Sequence, residues 1–202
     1  GVGVSESKGE VGVRFLKERY PDFTPTRILD IGCSAGSSTV PYVTAFSDAD
    51  VHGIDVAASI LRYAHARAEA MGKGVHFHQR DAANTGFEDK SFDLVMSHNA
   101  MHEFSQSTTE DMMRENFRLL KPGGVAMHMD VNIRYDEYSP WMQFHRGWDQ
   151  VNNNEPFWRV YATNNPSEML RDAGFPEESV WQGKFQQLDN SLRWFIATAR
   201  KG

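Results

Sequence analysis

Residues Arg27–Val40 read RILDIGCSAGSSTV: a short apolar run, a turn of small residues and the opening of a helix. Ile28, Leu29 and Ile31 suit a buried strand. Gly32, Ser34, Ala35 and Gly36 suit a turn in which glycine supplies positive φ and lets another group approach without a Cβ in the way. Such a turn points free N–H groups at whatever lies above it, which fits a polar ligand. Asp30, at the strand end, adds a carboxylate able to hold a cation or a hydroxyl.

Two known uses of a glycine turn fit poorly. A dinucleotide fingerprint, G-x-G-x-x-G, wants glycine where Ser34 and Ser37 stand. Gly32-Cys33-Ser34-Ala35-Gly36 does spell the G-x-S-x-G elbow of a hydrolase nucleophile. That fold needs an earlier strand–helix loop for its oxyanion hole and a late histidine. Here about one helix fits before Arg27, and the last histidine is His145. A plain β–α turn that binds nothing stays open on this stretch alone.

Outward from the turn, strands and helices alternate. Ser7–Tyr20 predicts a helix, with Ser7 and Glu10 as a capping box, Val11, Phe15 and Leu16 as its apolar stripe, and Pro21 as its stop. A helix is expected over 37–46, a strand over Asp50–Val56, an alanine-rich helix over Ala57–Ala70 and a strand over Val75–Arg80. Ser91–Ser97 predicts a fourth strand and Ser107–Leu120 an amphipathic helix. Lys121-Pro122-Gly123-Gly124 ends that helix and starts a fifth strand through Val131. Asn165 and Pro166 open another helix, and Val180–Leu188 and Leu192–Ala199 read as two final strands. The alternation implies βαβ units and a mostly parallel sheet, whose ligands sit beyond the carboxyl ends of the strands. Asp30, Asp55, Asp81 and His98 all fall at such ends.

The chain's 202 residues suit one domain, and 40% hydrophobic with 24% charged residues is ordinary globular composition. No apolar run approaches the ~18 residues of a membrane span, and no signal-peptide pattern is present. The single cysteine, Cys33, excludes an internal disulfide and suits a reducing cytoplasm. A net charge of −6 argues against bulk nucleic-acid binding.

RILDIGCSAG, Asp55 closing the second strand, Arg80-Asp81-Ala82 closing the third, SFDLVMSHNAMHEF and RLLKPGG together resemble the class I S-adenosylmethionine (SAM) methyltransferases over residues 27–200. The resemblance implies a three-layer, Rossmann-like, doubly wound sheet of seven strands in the order 3-2-1-4-5-7-6, with the seventh antiparallel. It implies SAM as cofactor, with the methionine part against Gly32, Cys33, Ser34 and Gly36 and its ammonium near Asp30. Asp55 and Val56 would meet the ribose, Asp81 and Ala82 the adenine, and His98 the methyl-transfer channel. The acceptor implied is a small-molecule or carrier-bound metabolite. A SAM-modifying or metal-assisted enzyme, or a non-catalytic SAM-binding module, remains an alternative.

Methyl transfer needs a general base only where the acceptor must lose a proton. His102, His98 and His145 are the candidates for that role, and no metal is expected, although His98, His102, Glu103, His128, Asp130 and His145 raise the question. His76 and His78 alternate along a strand and should share one face. Residues 132–164 hold eight aromatics in 33 positions, about twice the chain average of 12%. They fall where the family builds its substrate cap, which makes Tyr135, Trp141, Trp148 and Trp158 acceptor-binding candidates. Only 26 residues precede Arg27. Residues 1–26 are therefore expected to be a helical segment from a lid, and the chain part of a longer polypeptide that by itself binds SAM but turns over slowly.

Overall fold

The computed structural model describes residues 7–134 and 137–202. Seven strands form one sheet in the order β3-β2-β1-β4-β5-β7-β6. They are β1 Arg27–Ile31, β2 Asp50–Asp55, β3 His76–Gln79, β4 Phe92–His98, β5 Leu120–Val131, β6 Trp181–Gln186 and β7 Arg193–Arg200. The first five run parallel to one another, and β7 is antiparallel to both β5 and β6. This is the expected three-layer, Rossmann-like doubly wound topology.

Strand alternation assigns the two faces. Ile28, Leu94, Met96, Val125, Met127 and Ile196 pack on one side with Val11, Phe15 and Leu16 of α1 (Lys8–Arg19) and Tyr42 of α2 (Val40–Ala45). Leu29, Ile31, Val95, Ala126, Phe195 and Ala197 face the other side, under Met112 and Met113 of α4 (Gln106–Leu119) and Leu170 of α7 (Pro166–Asp172). Between these, α3 (Ala58–Ala70) joins β2 to β3, and α5 (Pro140–Asn152) and α6 (Trp158–Thr163) follow β5. At α1 the capping box forms as the sequence predicts: Glu10 N–H donates to Ser7 Oγ at 3.3 Å, and Ser7 N–H donates to the Glu10 carboxylate at 2.5 Å.

Several boundaries differ from expectation. The second helix starts at Val40, not residue 37, because the chain is still leaving the turn: Gly36 has φ +69° and residues 37–39 are irregular. Asn165 holds the N-cap position of α7 but does not cap with its side chain, which instead accepts from Ser167 Oγ at 2.8 Å. The β3 and β6 strands are shorter than their apolar runs, as sheet edges often are. The segment after β4 is a turn through Asn99 (φ +53°) and a single 3₁₀ turn, Met101–Glu103.

Candidate active site

The turn after β1 is fixed by the strand beside it. Cys33 N–H donates to the Ile54 carbonyl at 3.0 Å, and Ser34 N–H donates to Asp55 Oδ2 at 3.0 Å. Asp55 Oδ1 also accepts from Ala57 N–H at 2.9 Å, so one carboxylate ties the glycine turn to the start of α3. Gly32 has φ +66°, and a Cβ there would lie 2.9 Å from the Ala100 Cβ, so both conformation and space require glycine. Cys33 is buried against Gly53, where an added Cβ would stand 2.9 Å from its Sγ. Burial, then the charges of Asp30 and Asp55, push that thiol far above its ordinary pKa.

Two adjoining clefts open over the strand ends and share Gly32, Ser34 and Asn99. The larger, about 470 Å³, runs past Ile54, Asp55, Val56, Arg80, Asp81 and Ala82 on one side and Ala100, Glu103, Phe104 and Thr108 on the other. Val56 is 67% exposed, a large apolar side chain left free beside Asp55. Asp81 Oδ1 accepts from Ala83 N–H at 2.8 Å, an Asx turn that presents the carboxylate at the rim. Arg80 stacks over Phe87 at 4.2 Å and donates to the Thr85 carbonyl.

The smaller cleft, about 270 Å³, lies between Lys8, Asp30, Cys33, Ala35, Ser37, Ser38 and His98. Asp30 Oδ2 accepts from Thr39 Oγ1 at 2.6 Å, while Oδ1 is buried without a hydrogen-bond partner. His98 Nε2 pairs with Tyr42 Oη at 2.9 Å, and its Nδ1, also buried and unpartnered, lies 3.7 Å from Asp30 Oδ1. Two orphaned polar atoms at one buried spot are costly unless a ligand meets them. An ammonium donor would satisfy the carboxylate.

On the opposite sheet face, Asp130 is fully buried and holds His102 twice, through Nδ1 at 2.6 Å and the backbone N–H at 3.3 Å. Trp158 stands edge-on to the His102 ring at 5.5 Å. Burial lowers the His102 pKa, but the hydrogen bond and charge of Asp130, with Glu103 and Glu155, outweigh it and leave the pKa raised. His128 lies apart, buried between Ser97 Oγ (2.8 Å) and Asn116 Nδ2 (3.0 Å) and held neutral by burial, its pKa near 3.

Of the residues singled out in the sequence, Asp30, Gly32, Cys33, Ser34, Asp55, Val56, Asp81, Ala82 and His98 line the two clefts. Gly36 stands behind the turn against Phe77. Trp158 reaches His102, whereas His145, Trp141 and Trp148 lie on the exposed surface of α5 and line neither cleft. Tyr135 lies outside the described residues. Sequence reasoning missed Thr39, Tyr42, Phe104, Thr108 and Glu155. Phe104 is the last residue of the SFDLVMSHNAMHEF stretch, but nothing local marks the others.

The sheet order and the cleft at its carboxyl edge define a doubly wound α/β protein whose larger cleft lies at the topological switch point, where such folds take their ligands. A family model described as a methyltransferase domain matches residues 28–124. The chain belongs to the class I SAM-dependent methyltransferases. It is 27% identical over 170 residues to phosphoethanolamine N-methyltransferase 3 of Arabidopsis thaliana, covering 83% of this chain and 32% of that protein. It is 29% identical over 115 residues to a fatty-acid O-methyltransferase of Mycolicibacterium smegmatis, covering 57% of this chain and 40% of the relative. In structure it matches Haemonchus contortus phosphoethanolamine N-methyltransferase 2, solved with S-adenosyl-L-methionine, with TM-score 0.70 and 20% identity over 94% of this chain and 51% of that one. The chain spans about a third of the length of the plant relatives it matches. Among the described residues no helix is long and apolar enough to cross a membrane.

Proposed function

We propose that this chain binds SAM across the two clefts and transfers its methyl group to a small organic acceptor, free or carrier-bound, held beneath residues 137–164. The observation that carries this is the buried, unpartnered Asp30 Oδ1 at the end of a cleft continuous with Asp55 and Asp81. A ligand with an ammonium at one end, two vicinal hydroxyls in the middle and an aromatic amine at the other matches that order of acceptors. Asp55 keeps lone pairs free for the hydroxyls despite its two backbone contacts, because each carboxylate oxygen accepts more than one bond. Val56 offers an apolar surface, and Asp81 with the Ala82 N–H an edge, to the base.

The donor supplies a methyl group on a sulfonium, already activated toward in-line displacement. What remains for the protein is to orient the acceptor and strip its water. Asn99 and Ala100, on the strained turn after β4, border that position, and His102 with Trp158 closes its far side. One named relative is a phosphoethanolamine N-methyltransferase and another a fatty-acid O-methyltransferase, so likeness to them favours neither nitrogen nor oxygen as the acceptor atom. A single buried thiol suits a cytoplasmic setting. Calorimetry with SAM, S-adenosylhomocysteine and NADH tests the proposal. Micromolar binding of the first two is expected; binding of NADH alone would overturn it.

A further inference from the structure

At the edge of the larger cleft lies a group of side chains that cofactor binding does not require. The ligand atoms of His102, Glu103 and Glu155 all lie within 4.8 Å of one another. His102 Nε2 is 3.4 Å from Glu103 Oε1. Two donors that each sit about 2.1 Å from one ion, at tetrahedral to octahedral angles, are about 3.0–3.4 Å apart. Glu155 Oε2 is buried and has no hydrogen-bond partner. Neither glutamate has a lysine or arginine ion-pair partner among the described residues. His102 is only 7% exposed, and the fully buried Asp130 fixes its ring through Nδ1 and so aims Nε2 at the two glutamates. A carboxylate on the remote nitrogen of a histidine is the usual outer support of a metal-bound imidazole, setting its tautomer and raising its basicity.

We propose that His102, Glu103 and Glu155 bind one divalent first-row transition ion, with Asp130 as the positioning residue behind the imidazole. One nitrogen and two carboxylate oxygens suit zinc or manganese better than magnesium or calcium, which prefer all-oxygen cages. Three protein ligands leave coordination positions open, as in catalytic rather than structural sites. Glu103 also lines the larger cleft, so the open side faces the acceptor position. There an ion would polarise an acceptor oxygen or nitrogen and favour its deprotonated form, which makes His102 a ligand rather than a base. That role rests on the proposed methyltransferase function; the binding itself does not.

Calorimetric titration of the metal-free full chain with zinc and with manganese, set against magnesium and calcium, tests the site. One zinc or manganese ion per chain at micromolar affinity or tighter is expected, with magnesium and calcium at least tenfold weaker. Glu155→Gln should weaken binding at least tenfold while its melting temperature in chelator matches the native chain. Asp130→Asn should weaken it about 10–100-fold through the imidazole. Millimolar binding, or native affinity in Glu155→Gln, overturns the proposal; the latter would place the ion on other histidines. Titrating SAM into the same metal-free sample separates the two claims. SAM binding without zinc or manganese binding defeats the metal site alone, and metal binding without SAM binding defeats the methyltransferase proposal alone.

Discussion

On the side of the cleft proposed to take SAM, the backbone and Asp30 are held by specific side-chain and carbonyl contacts. Asp55 grips Ser34 and Ala57, Ile54 receives Cys33 N–H, and Thr39 fixes Asp30. On the side proposed to take the acceptor, α5 leaves Trp141 and Phe144 stacked on each other in solvent, with Trp148 61% and Val151 80% exposed beside them. One half is preorganised by short polar contacts; the other keeps its apolar groups uncommitted. A fixed donor and an adaptable acceptor surface are what a fold needs if it is to keep one cofactor across many substrates.

Substitutions should therefore hurt the first half far more than the second. The largest effect is expected at Gly12 of α1, where a Cβ would lie 2.2 Å from Tyr42 Oη and 2.7 Å from His98 Nε2. Gly12→Val should cost about 3 kcal/mol of stability by overpacking and displace His98 from Asp30, read as a lowered melting temperature together with weaker SAM binding. Next, Asp55→Ala should weaken SAM by roughly 1.5–3 kcal/mol, the range for hydrogen bonds to a charged group. The accompanying loss of stability should be nearer ~1 kcal/mol, the worth of a helix cap. Unchanged affinity with lost stability would reduce Asp55 to a structural tie.

A smaller effect should come from acid. On the sheet edge, Asp50 Oδ2 takes His52 Nε2 at 2.8 Å, and His52 Nδ1 pairs with His78 Nε2 at 3.0 Å. Both imidazoles have lowered pKa values, chiefly from burial and, for His78, from the charges of His52 and Arg80 as well. Below about pH 6.5 the unfolded chain takes up protons that the folded pair resists. The stability this edge contributes is thus complete above that pH and lost as pH falls. His78→Gln should flatten the decline in melting temperature between pH 7.5 and 5.5. The difference isolates this pair from His128, which acts in the same direction, and from His102, whose raised pKa acts oppositely. The smallest change is expected at Trp148→Ala, within about 0.5 kcal/mol, against about 1–2 kcal/mol for the half-buried Trp158→Ala. Comparable losses would mean that α5 is packed in solution after all.

The same contrast governs what the sequence could say. Strand ends were legible because Asp30, Asp55 and Asp81 each stand at the close of a predicted strand, and a parallel sheet delivers such ends to one edge. The antiparallel last pair and the strand order came from family likeness, not from periodicity. The aromatics of α5 were legible only as an enrichment over residues 132–164. An enrichment does not state whether its side chains face core or solvent, and Trp141, Phe144 and Trp148 face solvent. Glu155 and Tyr42 carry no local signal at all: the chain brings them to His102 and His98 only through packing of α6 and α2. Pairing of Asp130 with His102 follows from β4 and β5 being neighbours, a fact about register rather than composition.

Cys33 has a practical consequence. It is the only cysteine in 202 residues, and it is enclosed by the cofactor turn with its thiol held protonated. Maleimide dyes and spin labels react through the thiolate of an accessible sulfur, so the native chain should be nearly silent toward them. A cysteine introduced at Trp141 or Leu188, both strongly exposed, would then carry the sole probe without first removing the natural one. The motion of these exposed segments could be followed by fluorescence or electron resonance against the unlabelled glycine turn.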